Sequence, residues 1–399
     1  VDRPRRLPRD RPDAKFWHFE CQYSPSADPR SSSVQIEVLR DDLHRVRAVE
    51  ADGTPLAPGD ARIRIESFAL SANNISYAAF GDALRYWDFF PAAAAPEGEL
   101  WGRIPVWGFG RVTETASPDL SVGERLYGYW PMGSDLDITP GRADARGVSD
   151  LAPHRAAMAG AYSRYLRVAA DPMLAAGRED HQMLLFPLFY TSFLVDDFLA
   201  DNDDFGATCV VVSSASSKTA IGVGHRARAR GRRSVGLTSP GNLEFTTSLG
   251  VYDEVVTYGE VGGLATGPTA YVDVAGDAAV TRAVHEHFAA GLTHSMVVGG
   301  THWDQPPDTS GEPLPGPRPA FFFAPTQIAK RVAEWGQEEM DARLGAAWTD
   351  YATWCDTWIR FERAVGPDAV TDVYRSLLEA RTDPRVGAIC TLDPAAAGH

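Results

Sequence analysis

The sequence predicts an α/β protein: a β-rich domain followed by a doubly wound parallel-sheet domain. Three observations carry this. Up to about residue 170 the chain runs as short alternating apolar and polar stretches between Gly/Pro turns, the pattern of a barrel-like β domain. Beyond about residue 205, short β-branched runs alternate with helical stretches, which implies βαβ units with right-handed crossovers. Thr208 to Ser239 reads as one complete unit of this kind. It holds the apolar run Cys209-Val210-Val211-Val212, the small turn Ser213-Ser214-Ala215-Ser216-Ser217, a helix from Lys218 to about Arg230, and a strand from Ser234 to Leu237.

The elements follow in order. Residues 1–15, rich in Arg and Pro but without an apolar stretch, read as a flexible leader. Phe16 to Tyr23 alternates as a strand. Val34 to Leu39 and His44 to Val49 form a strand pair, and Arg62 to Leu70 alternates with period two. The turn Ser71 to Tyr77 leads into a short helix. Ile104 to Val112 and Gly160 to Val168 read as strands, Val122 to Tyr129 as a turn followed by a strand, and Ser134 to Pro153 as an exposed loop. Met183 to Leu199 carries an apolar stripe at helical spacing. Strands are expected at Tyr252 to Thr257, Ala270 to Val274, Thr293 to Val298 and Phe321 to Phe323, with a helix at Ala278 to Ala290. A Pro/Gly-rich loop spans His302 to Arg318. A long helical region runs from Thr326 to Val365 with a break at Gly336. A last helix covers Asp368 to Ala380 and a last strand Gly387 to Leu392.

Composition narrows the function. With 399 residues the chain can hold two domains with full cores, and 44% hydrophobic with 23% charged residues is ordinary for a globular protein. A net charge of -15 argues against nucleic acid or an anionic membrane surface as a partner, and no apolar run is long enough for a transmembrane helix. The four cysteines are scattered singly, which suggests neither a disulfide framework nor a zinc lobe and fits a reducing cytoplasm. His285 and His287 lack metal-ligand spacing and are expected on a solvated helix face. No elbow serine motif is present, so acyl transfer is not expected.

Several segments, in this order, resemble the medium-chain dehydrogenase/reductase superfamily, in its zinc-independent quinone oxidoreductase and enoyl reductase branch. RIRIESFALSANN, VGERLYGY, GAYSRYLRV, FYTSFL, TCVVVSSASSKTA, SLGVYDEVVTY and YVDVAGDAA each match a segment of that branch, over roughly residues 60 to 392. The Asn-Asn-Ile turn and FFFAPTQIAKR mark a sub-branch. The resemblance implies a GroES-like catalytic domain at 16–187 and 327–399 and a Rossmann domain at 188–326. It departs from the zinc branch, because no Cys stands at the Asn73/Asn74 turn and no His near WGFG; no metal site is expected.

The candidate chemistry follows from these residues. The start of the helix after Ser217 offers unpaired amides and a positive dipole end, which suit a pyrophosphate. The usual glycine fingerprint is replaced by Ser214, Ala215, Ser216, Ser217, Lys218 and Thr219. Their hydroxyls add hydrogen bonds, and Lys218 opposes the dipole, which invites an anion partner; the alternative reading is a turn that has lost its ligand. The second strand ends in Thr238-Ser239 without an acid for a ribose 2′-hydroxyl, and Arg232 and Arg233 precede it. With Tyr258, matched by resemblance, this favours NADPH over NADH. The resemblance also places Thr191 beside the nicotinamide, and Ala275-Gly276 and Gly299-Gly300 at its carboxamide. Without a metal, a tyrosine is the expected proton donor. Tyr77 is the first choice, Tyr86 and Tyr190 are its competitors, and Asn73 and Asn74 are candidates to orient a substrate oxygen. Tyr77, Phe80, Tyr86, Trp87, Phe89 and Phe90 make either an aromatic-lined pocket for a small, fairly apolar substrate or a plain aromatic core. Phe321 to Phe323 is suited to edge pairing in a homodimer.

Overall fold

The computed structural model describes residues 33–51, 54–93, 95, 98–300 and 313–393. The expected leader, the strand at Phe16 to Tyr23 and most of the His302 to Arg318 loop lie outside these residues.

The first half is β-rich, with β1 Ser33–Leu39, β2 Asp42–Ala51, β3 Ala61–Leu70, α1 Ala72–Ala79, β4 Trp101–Gly102, β5 Pro105–Thr115 and β6 Arg125–Pro131. Next come β7 Asp135–Ile138, β8 Pro140–Asp144, β9 Gly147–Asp150 and β10 Arg164–Arg167. Two helices, α2 Glu179–Leu184 and α3 Phe186–Asp201, lead into the βαβ half. That half holds β11 Cys209–Val212, α4 Lys218–Ala229, β12 Arg233–Thr238, α5 Leu243–Ser248, β13 Glu254–Thr257, β14 Thr269–Asp273, α6 Ala278–Phe288, β15 Leu292–Val297 and β16 Ala320–Phe321. The chain closes with α7 Ala324–Trp335, α8 Gln337–Cys355, β17 Arg360–Val365, α9 Pro367–Leu378 and β18 Val386–Thr391.

The sheets form the two expected parts. One nine-stranded sheet runs β17-β18-β3-β5-β6-β10-β9-β8, with β7 also on β3, and β2-β1-β4 forms a small sheet beside it. The other large sheet runs β13-β12-β11-β14-β15-β16, and its pairings are parallel. The central parallel strands read as unbroken apolar runs because both faces are covered. Val210, Val212, Ala270 and Val272 pack into the core shared with α3, α4 and α8, while Val211, Val235, Leu237 and Tyr271 pack beneath α6. α8 lies on α3 with Tyr351 stacked on Phe189 at 4.4 Å.

Four sequence expectations are corrected. Ser134 to Pro153 is not a loop: β7, β8 and β9 are short polar strands whose turns imitate loop composition, and Asp144 accepts the Arg146 and Gly147 amides at the tip. The helical region from Thr326 does not reach Val365, because Arg360–Val365 is a strand pairing in parallel with β18. Gly336 does break the helix, at φ 82°. His285 is not solvated: it is fully buried, bonded through Nδ1 to the Pro315 carbonyl and through Nε2 to Ser295 Oγ. Arg232 and Arg233 stand at the amino end of β12, opposite the ligand-binding edge of such a sheet, and pair with Asp204 and Glu254. They therefore give no reason to expect a 2′-phosphate.

Candidate functional site at the carboxyl edge of the parallel sheet

Because β11 to β15 run in parallel, the residues that follow each strand gather on one edge of the sheet. Ser214 follows β11, Thr238 and Ser239 end and follow β12, and Tyr258 follows β13. Ala275 and Gly276 follow β14, and Gly299 and Gly300 follow β15.

The serine turn keeps the backbone form that a glycine ordinarily provides. Ser214 adopts φ 50°, in the left-handed region, at a cost of about 1–2 kcal/mol for a residue with a Cβ. The Tyr258 hydroxyl bonds to Ser214; burial raises this phenol to about 12, and the Ser214 contacts partly offset the rise. Ala215 is fully buried: its amide donates to the Leu237 carbonyl, and its carbonyl accepts from Tyr252. The close approach is made possible from the strand side, because a Cβ on Gly236 would lie 2.9 Å from that of Ala215. Ser217 caps α4 by accepting the Ala220 amide. The Lys218 and Thr219 amides then lie at the helix tip, where no intrahelical acceptor exists. Ser216 is half-buried at the same tip.

Lys218 has a different role from the one its position suggested. Its Nζ donates to the Pro384 and Val386 carbonyls at 3.2 and 3.0 Å, bridging α4 to the last strand of the β-rich part. Burial pulls this ammonium down to about 8. The cation at the positive end of a helix is thus answered by main-chain carbonyls.

Further along the edge, Gly276 adopts φ 68°, and a Cβ there would lie 2.8 Å from Gly300 Cα. The two strand ends therefore form a shelf of bare backbone. Thr191, half-buried on α3, bonds through its hydroxyl to the Pro187 carbonyl. Thr238 Oγ1 is buried and has no hydrogen-bond partner among the described residues, whereas most buried polar atoms of folded proteins are bonded.

Helix α1 comes down onto this shelf. Ser76 Oγ donates to the Gly300 carbonyl at 3.2 Å, and the exposed Phe80 ring lies against Gly300. Asn74 is not available to a substrate. Its Oδ1 accepts the Ser71 amide and its Nδ2 donates to the Pro105 carbonyl, so the whole amide is spent on holding α1. Asn73, half-buried, contacts the Tyr77 hydroxyl instead.

Tyr77 belongs to a closed aromatic group. Tyr77 and Tyr86 lie 4.6 Å apart, Tyr77 and Tyr129 5.6 Å, Tyr129 and Tyr162 4.9 Å, and Trp107 and Tyr129 5.0 Å. Phe89 and Phe90 complete it, whereas Phe80 lies on Gly300 and Trp87 packs against Gly81 and Gly102. Tyr190 lies outside this group: its ring stacks on Phe186, and the Asp341 charge adds to the rise that burial gives its phenol. Tyr129, Tyr162 and Trp107 joined the group unforeseen; the alternation of β6 and β5 was the available signal. Trp107 Nε1 and Tyr129 OH lie beside the Tyr77 hydroxyl, yet neither makes a well-formed hydrogen bond. Burial raises all four phenols, with mutual repulsion adding to the rise in Tyr86, Tyr129 and Tyr162. For Tyr77 the neighbouring donors partly offset it. These groups keep their protons at neutral pH, as hydrogen-bond or proton donors must. Behind the group, Arg155 and Asp150 form a buried ion pair at 3.0 Å. Arg155 also donates to the Phe89 carbonyl and lies 4.5 Å from the Phe90 ring.

A groove of about 800 Å³ lies elsewhere, between α8 and residues 170–173, near Arg146 and Asp341. It holds none of the groups above.

The described residues contain no helix long and apolar enough to cross a membrane. The chain resembles solved structures of low sequence identity. CurA from Vibrio vulnificus in complex with NADPH is 15% identical, with a TM-score of 0.57, covering 90% of this chain and 99% of that one. A putative NADPH:quinone reductase from Mesorhizobium loti is 11% identical, with a TM-score of 0.57 and coverages of 90% and 98%. A mutant enoyl thioester reductase from Candida tropicalis is 10% identical, with a TM-score of 0.53 and coverages of 90% and 100%. No curated protein matches the sequence. A family model described as "Protein of unknown function (DUF2855)" matches residues 68–383. The chain therefore belongs to the DUF2855 family, built on the medium-chain dehydrogenase/reductase fold with its GroES-like and Rossmann parts.

Proposed function

We propose that the protein is an NADPH-dependent, metal-independent reductase acting on an activated C=C or C=O of a small, fairly apolar substrate. The observation that carries this reading is the meeting of two features. The glycine shelf at the sheet edge touches α1 through Ser76 and Phe80, and α1 carries Tyr77 beside Tyr129 OH and Trp107 Nε1, two buried polar atoms without a hydrogen-bond partner among the described residues.

The residues fit a dinucleotide. The α4 tip, with Ser214, Ala215, Ser216, Ser217 and Thr219, would hold the pyrophosphate. Thr238, Ser239 and Tyr258 would take the adenosine ribose and its phosphate. Ala275, Gly276, Gly299, Gly300 and Thr191 would hold the nicotinamide half. When bound, NADPH supplies a hydride. The chain's own part is to expose backbone along the shelf, to keep Lys218 bridging the two halves, and to present the Tyr77 hydroxyl to the substrate oxygen. Trp107, Tyr129 and Asn73 support that hydroxyl as charge develops on the oxygen. The binding of NADPH by CurA supports this assignment by similarity of fold.

A second reading, a non-redox step on the same scaffold, is favoured by the Ser214–Tyr258 contact, which occupies part of the turn. One titration separates the two. Addition of NADPH to the purified protein is expected to enhance nicotinamide fluorescence with micromolar affinity, tighter than NADH, and enones are expected to oxidise the bound cofactor. Binding without oxidation by any enone or quinone would shift the reading to the second. No binding at millimolar NADPH or NADH would sink the reductase reading.

We also propose a homodimer through β16, which ends the parallel sheet with Phe321 56% and Phe323 42% exposed and their rings stacked. Light scattering is expected to give twice the 43.3 kDa chain mass; a monomer refutes the pairing.

A further inference from the structure

Asp273 ends β14 with its residue only 3% exposed, and no Lys or Arg pairs with it among the described residues. Its partners are neutral donors. Ser213 Oγ donates to Oδ1 at 2.7 Å, the Gly276 amide donates to Oδ1 at 3.0 Å, and Thr281 Oγ1 donates to Oδ2 at 3.1 Å. Ser213 Oγ also accepts the Val274 and Ala275 amides at 2.9 and 3.0 Å. Its single proton is therefore the one directed at Asp273, which makes Asp273 Oδ1 an acceptor. The Asp273 carbonyl accepts the Val298 and Gly299 amides as well. Asp273 thus ties three strand ends together: its carboxyl group holds Ser213 after β11 and Gly276 of the shelf after β14, and its main-chain carbonyl holds Val298 and Gly299 after β15.

A buried negative charge answered only by dipoles projects its field onto whatever occupies the shelf, because low-dielectric surroundings screen it poorly. The two redox forms of a nicotinamide cofactor share their phosphates and differ by one positive charge on the ring. We propose that Ser213 and Asp273 are positioning residues for the nicotinamide half of the cofactor, and that the Asp273 carboxylate favours the oxidised cofactor over the reduced one. This rests on the reductase reading above. A ring made more comfortable as a cation is a better hydride donor in its reduced state. Ser213 supplies the geometry, by fixing the amides of Val274 and Ala275, and Asp273 supplies the charge.

The test is calorimetric and needs no turnover. Dissociation constants for NADP+ and NADPH are measured for the native chain, Asp273→Asn and Ser213→Ala, with folding checked by circular dichroism. The ratio of the two constants cancels the shared phosphates. Asp273→Asn is expected to weaken NADP+ relative to NADPH by about five- to tenfold. Ser213→Ala keeps the charge and is expected to weaken both forms alike. An unchanged ratio in Asp273→Asn overturns the proposal while leaving the reductase reading intact. Failure of the native chain to bind either form overturns both. If Asp273→Asn does not fold, the native chain carries the test: NADP+ must bind at least as tightly as NADPH, and tighter binding of NADPH overturns the proposal.

Discussion

Replacing Arg155 with methionine is expected to lower the free energy of unfolding by about 3–5 kcal/mol, read as a fall in the urea midpoint at neutral pH. Asp150 and Arg155 have side chains only 1% exposed, 3.0 Å apart. Removing the guanidinium leaves a carboxylate in the interior that, among the described residues, keeps the Thr139 and Ala152 amides as donors. It also deletes the donors to the Tyr165 hydroxyl and the Phe89 carbonyl. The double variant Asp150→Asn with Arg155→Met is expected to recover part of the loss, since the stranded charge is gone. A midpoint within error of the native chain for Arg155→Met would show that the ion pair carries no stability. The pair also bears on the site, because the Phe89 carbonyl and Phe90 ring that Arg155 holds belong to the segment that delivers Tyr86.

Tyr77→Phe is expected to reduce turnover of an enone by about 10²-fold or more while leaving the NADPH dissociation constant within twofold. The substitution keeps the ring that packs against Tyr86 and Tyr129 and removes only the oxygen on which Trp107, Asn73 and Tyr129 converge. Tyr86→Phe removes a neighbouring hydroxyl that Tyr162 approaches and is expected to cost less. Because all four phenols are raised by burial, activity should hold steady from pH 6 to 9 as far as these groups are concerned. Equal turnover for Tyr77→Phe and the native chain would remove Tyr77 from the chemistry and pass the role to Tyr86.

The parts that were legible in the sequence are those where local pattern and tertiary environment agree. Val210 to Val212 is apolar on both faces because helices cover both faces, so the run could be read directly. Ser217 and Gly336 announced a helix start and a helix break through backbone chemistry that acts locally. Pattern failed where a distant partner decides. Arg360 to Val365 is exposed along most of its length, and only pairing with β18 makes it a strand. His285 looked solvated because its partners, Pro315 and Ser295, come from other elements. Lys218 stood out as a cation at a positive helix end, and Asn74 was expected to orient a substrate oxygen, but their partners lie 166 and 31 residues away, so their structural roles could not be read from the sequence. The aromatic group was half legible: α1 and the segment after it supplied Tyr77, Tyr86, Phe89 and Phe90, while β5 and β6 supplied the rest through the fold.

The pairing of β3 with β18 has a kinetic consequence. Leu70 lies opposite Ala388, and Phe68 opposite Cys390. During synthesis, therefore, β3 must wait for a neighbour made about 320 residues later, on the order of tens of seconds at ordinary elongation rates. The parallel sheet from β11 to β15 is continuous in the chain and can assemble within that interval. The β-rich half is started first and finished last. Through the wait, one edge of β3 offers unpaired main-chain groups to any passing strand, so the nascent chain is most vulnerable to misassociation at the element that later supports the α1 turn.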